Sequence, residues 1–333
     1  MISARVDLCI VVPAYNEERN LPILYGELAE VLDREGISFE LLLVDDGSRD
    51  RTADVIRSLA AAHDNVRALL LSRNFGHQAA VSVGLQHAFG RSVAVMDADL
   101  QDRTTSVVAL FRAWESGADV AYAVRRSRAE NVFKRTAYRT FYRILARVAD
   151  IPVQLDSGDF CVMDAAFVAK MNALPERLRF VRGLRAWMGG KQVAVPVDRD
   201  ARREGEPQYT FVKLVRLALD GIVSFSDAPL RIASLAGAIV SSFAFAGAIV
   251  VLVWKYLGLL PSGAGIASIA LSVLFLGGLQ LLTIGILGEY VGRIFLEVKA
   301  RPIGVVHESI RPRPSLISEE DNQASELDAV STS

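Results

Sequence analysis

Three acid-rich clusters within the first 102 residues carry the side chains needed to bind a metal ion and a phosphate compound. They are Pro13–Glu18, Asp45–Asp50 and Asp97–Asp102, and each follows directly on a short apolar run. Two carboxylates two residues apart, such as Asp97 and Asp99, can hold a hard divalent cation, because Mg²⁺ takes one or two carboxylates and completes its octahedron with water and substrate phosphates. A cation held there would neutralise a diphosphate leaving group. Each cluster alone is equally typical of a turn that caps a helix, so the prediction depends on all three together.

Several other classes of protein are disfavoured. The sequence contains neither a GxxxxGK[ST] loop nor a GxGxxG loop, which argues against a kinase or a dinucleotide-binding fold. Thirty-seven Lys and Arg residues oppose 38 Asp and Glu residues, so no overall positive field favours nucleic acid as a partner. Hydrophobic residues make up 51% of the chain, which excludes a disordered protein.

The three clusters must be positioned by a sheet, and the sequence around them predicts one. Apolar runs typical of buried strands cover residues 8–12, 39–44, 66–71 and 92–96, and they alternate with amphipathic helical patterns over residues 20–34, 50–62 and 78–88. This alternation indicates an α/β fold with a mainly parallel sheet that is covered on both faces. Ligands of such sheets bind beyond the carboxyl ends of the strands, and all three clusters fall there.

The apolar excess of the chain lies near its carboxyl end. No charged residue occurs from Ile232 to Trp254 or from Tyr256 to Gly288, and each stretch is long enough to cross a bilayer, which takes roughly 20 residues. The Gly-, Pro- and Ser-containing residues 257–265 predict a turn between them. We therefore expect two transmembrane helices, the alternative being a buried helical hairpin in a soluble protein.

The residues that flank these stretches predict the topology and four regions. Lys and Arg residues precede the first stretch and follow the second, so both termini are expected on the cytoplasmic side of the plasma (inner) membrane. The predicted regions are a cytoplasmic domain (1–210), an amphipathic helix (211–230), a transmembrane hairpin (231–295) and a largely disordered cytoplasmic tail (296–333). The amphipathic helix either lies in the membrane interface or packs on the cytoplasmic domain as an ordinary surface helix.

Seven segments, taken in order, resemble one known family. They are VVPAYNEE, VDDGSRDRT, SRNFGHQAAVSVGL, DADLQD, DSGDF, RFVRGLRAW and FSDAPLR. Together they resemble family 2 glycosyltransferases of the GT-A fold, and more narrowly the polyprenyl-phosphate glycosyltransferases, such as bactoprenol glucosyltransferase and dolichyl-phosphate mannose synthase. The resemblance covers roughly residues 6–231. It implies inverting transfer of a hexose from a nucleotide-sugar to a polyprenyl phosphate, with glucose from UDP-glucose expected first and mannose, N-acetylhexosamine or a modified arabinose as alternatives.

The resemblance also implies roles for individual residues. The expected nucleotide-sugar-binding residues are Pro13, Tyr15, Glu17, Asp45, Asp46, Asp97, Ala98 and Gln208. The expected ligands of Mg²⁺ or Mn²⁺ are Asp97, Asp99 and Gln101. The expected catalytic residues are Asp159, Arg125 and Arg202, and the expected contacts of the acceptor phosphate are Lys134 and Arg135. Pro207 and Gln208 replace the Ser-Lys pair of the family pattern, so the positive charge of the lysine near the phosphates is missing here.

Several of these residues have simpler interpretations. Asp159 could be a turn residue, and Lys134 and Arg135 could be solvated charges on a helix. His77 and His87 have no partner at metal-site spacing, which favours structural or general polar roles. Cys9 and Cys161 lie in apolar stretches and are expected to be buried free thiols.

Two other functions remain open. A processive polysaccharide synthase would need more membrane spans and a Gln-x-x-Arg-Trp element, which residues 182–187 do not match. A non-catalytic scaffold that binds a nucleotide-sugar is disfavoured by the intact Asp97 and Asp99. The expected partners are the nucleotide-sugar, the polyprenyl phosphate and the bilayer; whether the chain self-associates is left open.

Overall fold

The structure is a computed structural model, and it describes residues 6–125, 157–177, 179–198, 228–257 and 265–310. These residues divide into two units. The first consists of the residues up to 198 together with residues 301–310. The second consists of residues 228–257 and 265–300.

The first unit is an α/β domain, and its predicted strands and helices are found close to their expected bounds. Its strands are β1 (Leu8–Ala14), β2 (Phe39–Asp45), β3 (Val66–Leu71), β4 (Ser92–Val95), β5 (Val120–Arg125), β6 (Ser157–Asp164), β7 (Gln192–Val197) and β8 (Val306–Ile310). Its helices are α1 (Asn20–Arg34), α2 (Thr52–Ala62), α3 (His77–His87), α4 (Thr104–Glu115), α5 (Ala165–Asn172) and α6 (Val181–Met188).

The eight described strands form one sheet in the order β7-β5-β6-β4-β1-β2-β3-β8. All seven residues of the central strand β1 are buried. Alternate side chains of a strand point to opposite faces, so Ile10 and Val12 join one apolar cluster while Cys9 and Val11 join the other. A sheet covered on both faces is therefore confirmed, and it explains why the strands are apolar throughout.

The sheet is mixed, because four strand pairings are parallel and three are antiparallel. The strand β6 lies antiparallel between β4 and β5, and Val95 at the end of β4 pairs with Cys161. Residues before Cys161 in β6 consequently extend past the carboxyl end of β4. This register brings Asp159 to the edge of the sheet that carries Asp97.

Residues 306–310 are an exception to the expectation of a largely disordered tail, and residues 311–333 lie outside the described part of the chain. They form β8, which pairs antiparallel with β3, and Glu308 contacts Arg57 on α2 with an Nη2–Oε2 distance of 2.8 Å. Val306 and Ile310, the two apolar residues at the ends of this strand, pack against the buried apolar clusters. The strand thereby covers an edge of the sheet that would otherwise expose unpaired backbone groups.

Deletion of residues 301–333 is therefore expected to destabilise the protein, whereas deletion of residues 311–333 removes none of the residues that pair with β3. We expect the longer deletion to lower the melting temperature by at least about 5 °C, because backbone hydrogen bonds and apolar contacts are both lost. Thermal unfolding of the two truncated proteins in the same detergent measures the difference. Equal melting temperatures would mean that β8 contributes nothing to stability.

The second unit contains two long helices, α7 (Ala228–Tyr256) and α8 (Ile266–Val298). Among the described residues, one segment is long and apolar enough to cross a membrane, Leu230–Val251, with a mean hydropathy of 2.0. It coincides with the first predicted span. The second predicted span is helical, but its crossing of the membrane stays a prediction, and residues 211–227 lie outside the described part of the chain.

Both cysteines are buried within the sheet, with Cys9 at 0% and Cys161 at 1% exposure, and neither forms a disulfide. Burial raises the pKa of Cys9 to about 12, and burial likewise raises the pKa of Cys161. The prediction of buried free thiols is confirmed.

Candidate active site

The turn after β1 is joined to the turn after β2. Asn16 has a φ of +58°, which asparagine tolerates better than most residues, and its backbone N–H donates to Ser48 Oγ at 2.9 Å. The predicted nucleotide-binding residues of this turn differ in exposure, since Pro13 is buried, Glu17 is partly buried and Tyr15 is 39% exposed. Of these three side chains, Tyr15 therefore offers the most surface to a ligand at this edge.

The two acidic residues at the end of β2 are almost fully buried and hold the surrounding backbone. Asp45 accepts hydrogen bonds from the backbone N–H and the hydroxyl of Ser48. Asp46 accepts from the N–H of Phe75 at Oδ1 (2.7 Å) and from the N–H of Gly76 at Oδ2 (2.9 Å). Burial raises the pKa of both carboxyl groups more than these hydrogen bonds lower it. Asp46 thus fixes the loop that leads into α3.

Gly47 lets the turn after β2 and the loop after β3 approach each other. Its φ is +66°, and a Cβ atom there would lie 2.4 Å from the carbonyl carbon of Arg73 and 2.6 Å from the backbone nitrogen of Asn74. Both contacts are far shorter than van der Waals distance, and both are with backbone. The Asp-Asp-Gly-Ser segment therefore needs glycine at this position.

The residues that follow β4 place two carboxylates, two positions apart in the sequence, at one edge of the sheet. Asp97 and Asp99 are partly exposed, and Ala98 between them is 3% exposed. Leu100 has a φ of +56°, and the next backbone N–H, that of Gln101, donates to Asp99 Oδ1 at 3.1 Å. The tight turn holds the Asp99 side chain at the surface of the site.

These residues fit a Mg²⁺ or Mn²⁺ ion. Among the described residues no three His, Cys, Asp or Glu side chains form a candidate metal site. Mg²⁺ does not need such a cage, because it commonly binds one or two carboxylates and takes its other ligands from water and substrate phosphates. Asp97 and Asp99 supply two hard oxygen donors of this kind, and Gln101 adds an amide oxygen in the same turn.

Asp159 lies at the same edge and is surrounded by hydrogen-bond donors. Its Oδ2 is 3.0 Å from Gln78 Nε2 and 3.5 Å from His77 Nε2, and its Oδ1 is 3.3 Å from Arg182 Nε. Burial alone would raise the pKa of Asp159, but the hydrogen bond with His77 and the positive charge of Arg182 outweigh it and hold the pKa far below its usual range. Asp159 is therefore a carboxylate that stays charged, which makes it a poor acceptor for a proton.

His77 connects Asp159 to the turn after β4. Its Nε2 lies 3.7 Å from Asp97 Oδ1, between that carboxylate and Asp159. Burial by itself lowers the pKa of His77, but the hydrogen bond with Asp159 and the negative charge of Asp97 outweigh this effect and raise it. His87, at the other end of α3, instead forms a hydrogen bond with the carbonyl of Val83, as a structural residue would.

The helix α6, which carries Arg182, is anchored at its first turn. The Val181 N–H donates to Gln78 Oε1 at 3.0 Å, so one side-chain amide binds both α6 and Asp159. The buried Arg179 donates to backbone carbonyls around the end of α5, including that of Leu174 at 2.8 Å. These contacts fix the position from which Arg182 reaches Asp159.

The structure thus brings together Asp97, Asp99 and Asp159 and adds His77, Gln78 and Arg182, which the sequence did not identify as site residues. The helices that carry these residues, α3 and α6, lie in segments that carried the family resemblance. For His77 the useful signal was position, since residues 72–77 follow β3 at the same sheet edge as the three acid-rich clusters.

Five of the predicted residues cannot be placed in this site. Arg125 is the last residue of β5, and its side chain is outside the described structure. The remaining four also lie outside the described residues, and they are Lys134, Arg135, Arg202 and Gln208. Their roles stay predictions.

Comparison with known proteins identifies the family. The model of "Glycosyl transferase family 2" matches residues 9–171, from β1 into α5. The chain is 40% identical to an uncharacterised glycosyltransferase of Bacillus subtilis, over 92% of this chain and 95% of that protein. It is 41% identical to an uncharacterised glycosyltransferase of Synechocystis, over 90% of this chain and 95% of that protein.

A third relative has a more specific name. The "SfII prophage-derived bactoprenol glucosyl transferase" of Shigella flexneri is 37% identical, over 92% of this chain and 99% of that protein. All three similarities extend well beyond the residues matched by the family model and therefore include residues carboxyl-terminal to it. From these similarities and the α/β domain that carries the site, the chain belongs to glycosyl transferase family 2 and is a glycosyltransferase.

Proposed function

We propose that the protein transfers glucose from UDP-glucose to the phosphate of a membrane polyprenyl phosphate, with inversion at the anomeric carbon. The observation that carries this proposal is the 37% identity to a bactoprenol glucosyl transferase over nearly the full length of both chains. Mannose, N-acetylhexosamine and modified arabinose remain alternative sugars for the same lipid acceptor.

We assign different parts of the donor to different strand ends at this edge of the sheet. We assign the nucleotide to the ends of β1 and β2, through Tyr15, Glu17 and the Asp45–Asp46 pair. We assign the diphosphate to the turn after β4, where Asp97, Asp99 and Gln101 would hold Mg²⁺ or Mn²⁺. When bound, the cation would neutralise the negative charge that develops on the leaving nucleoside diphosphate.

The reaction places modest demands on acid–base chemistry. A phosphate monoester has its second ionisation near pKa ~6, so the acceptor oxygen is already largely deprotonated at neutral pH. The protein must instead hold two phosphate-bearing substrates in line and supply positive charge. We propose Arg125 and Arg202 as catalytic cations, Lys134 and Arg135 as acceptor contacts, and Gln208 as a donor contact. In-line attack on an α-linked donor gives a β-linked product.

The membrane part is proposed to bring the site to its lipid. In this proposal α7 and α8 both cross the plasma membrane, residues 211–230 lie in its interface, and the α/β domain and both termini face the cytoplasm. The length and hydropathy of Leu230–Val251 support the first crossing. Confinement to the bilayer would raise the effective concentration of the acceptor at the site.

A transfer assay with radiolabelled UDP-glucose and polyprenyl phosphate tests the function. We expect label to move into lipid that is extractable by organic solvent, as the β-linked sugar phosphate. Label in an insoluble polymer would indicate a processive synthase, and no transfer from any of a panel of nucleotide-sugars would indicate a non-catalytic scaffold. A product that keeps the α configuration would overturn the inverting mechanism.

A further inference from the structure

The cluster around Asp159 has a buried centre and an exposed rim. The Asp159 side chain is 12% exposed, whereas that of Arg182 is 36% and that of His77 is 45% exposed. Both oxygens of Asp159 are engaged by Gln78, His77 and Arg182. Asp159 is therefore placed to hold its neighbours, and the groups that a substrate can reach are those neighbours.

Arg182 has unused donors that suit a phosphate. Within the described part of the chain, its guanidinium gives only the Nε hydrogen to Asp159. The two Nη groups remain, and a guanidinium can bind two oxygens of one phosphate side by side. Because the Asp159 contact fixes the plane of the guanidinium, little side-chain entropy would be lost when a phosphate binds.

The position of Arg182 in the fold favours the acceptor phosphate over the donor diphosphate. In the sheet order β6-β4-β1-β2, the proposed nucleotide site lies on one side of β4, at β1 and β2. Asp159 lies on the other side, in β6, and Arg182 lies on α6, which packs against β6. His77 and Gln78 reach Asp159 from the first turn of α3, which packs against β1 and β2. An in-line displacement needs its nucleophile on the side of the sugar opposite the leaving group, and Arg182 lies across β4 from the proposed nucleotide site.

We propose that Arg182 binds the phosphate of the lipid acceptor and that Asp159 and Gln78 are positioning residues that orient it. This inference rests on the proposed function, in which the acceptor is a polyprenyl phosphate. His77 contacts both Asp97 and Asp159 and so keeps the donor and acceptor parts of the site at a set spacing.

Steady-state kinetics of the full chain in mixed micelles with polyprenyl phosphate test the role of Arg182. We expect Arg182→Ala to raise the KM for polyprenyl phosphate by about 10- to 100-fold, the range for losing charge-assisted hydrogen bonds, with little change in the KM for UDP-glucose. Arg182→Lys should recover part of the loss, since it keeps the charge without the paired geometry. Arg34→Ala is the matched control, because Arg34 is an exposed helix residue paired with Glu30.

A double-mutant cycle tests the positioning role of Asp159. Asp159→Asn should also raise the KM for the lipid, and the double variant with Arg182→Ala should be no worse than Arg182→Ala alone, because both changes remove one function. Fully additive effects would remove Asp159 from this role. A raised KM for UDP-glucose with an unchanged KM for the lipid in Arg182→Ala would overturn the proposal.

A binding measurement that does not require sugar transfer distinguishes a failure of this inference from a failure of the proposed function. Polyprenyl phosphate in micelles should raise the melting temperature of the wild-type protein by more than that of Arg182→Ala at the same lipid concentration. If the wild-type protein transfers no sugar but shows this difference, the proposed function fails and the phosphate site stands. If the lipid stabilises both proteins equally, or neither, Arg182 does not bind its phosphate.

Discussion

Replacement of Asp99 by asparagine is expected to lower the rate of sugar transfer by roughly 100- to 1000-fold, the effect of losing several kcal/mol of charge stabilisation in the transition state. An asparagine oxygen can still accept the hydrogen bond from the Gln101 N–H that is seen at 3.1 Å. The fold should therefore survive while the negative charge that attracts the cation is lost. Turnover at saturating donor and acceptor, together with a thermal unfolding curve, distinguishes the two effects.

Metal removal should reproduce the effect of this substitution in the unaltered protein. Chelation is expected to abolish transfer, and Mg²⁺ or Mn²⁺ should restore it. Asp64→Asn is the matched control. Asp64 is exposed in the loop before β3, so this substitution removes the same charge at the opposite end of the strands. Full activity of Asp99→Asn, or of the chelated wild-type protein, would exclude a role for Asp99 in holding a catalytic cation.

The second large effect is expected from Gly47→Ala, which should destabilise the protein by at least about 3 kcal/mol. A positive φ costs a non-glycine residue about 1 kcal/mol, and the remainder comes from moving the Arg73–Asn74 backbone away from a Cβ atom that would lie 2.4 Å from it. The same movement should disturb the loop that Asp46 holds, so activity is expected to fall together with stability.

Gly36→Ala separates the two components of this effect. Gly36 has nearly the same φ, +65°, but nothing lies within 4 Å of the position of its Cβ atom. Gly36→Ala should therefore lower the free energy of unfolding only by the conformational contribution, about 1 kcal/mol. Chemical denaturation of both variants measures the difference, and equal losses of stability would mean that the close approach at Gly47 is relieved without cost.

The parallel half of the sheet was predictable because its signals are local. Buried strands such as β1 are apolar at every position, and a helix pattern follows each of them, so strand bounds and the edge that carries the acid-rich clusters follow from short windows of sequence. Asp97 and Asp99 were found for the same reason. Their position at a strand end depends only on neighbouring residues.

The antiparallel strands and the contacts around Asp159 depend on pairings between distant residues, which no local sequence pattern encodes. The antiparallel insertion of β6 between β4 and β5 brings Asp159 beside Asp97, 62 positions earlier in the sequence. The pairing of β8 with β3 joins residues more than 200 positions apart. His77 appeared to have no partner because both of its carboxylate contacts lie on other strand ends, and Arg182 joins them only through the packing of α6.

The burial of both native thiols makes the chain suitable for topology mapping by selective labelling. Maleimides react with exposed thiolates, and the two cysteines of the sequence are inaccessible, with the pKa of Cys9 raised to about 12. A single new cysteine can therefore be introduced without removing the native ones. In intact cells a membrane-impermeant maleimide should label Ser262→Cys, between the two long helices, and should label Ser116→Cys, in the α/β domain, only after the membrane is opened. Labelling of both in intact cells, or of neither, would contradict a two-span arrangement with a cytoplasmic catalytic domain.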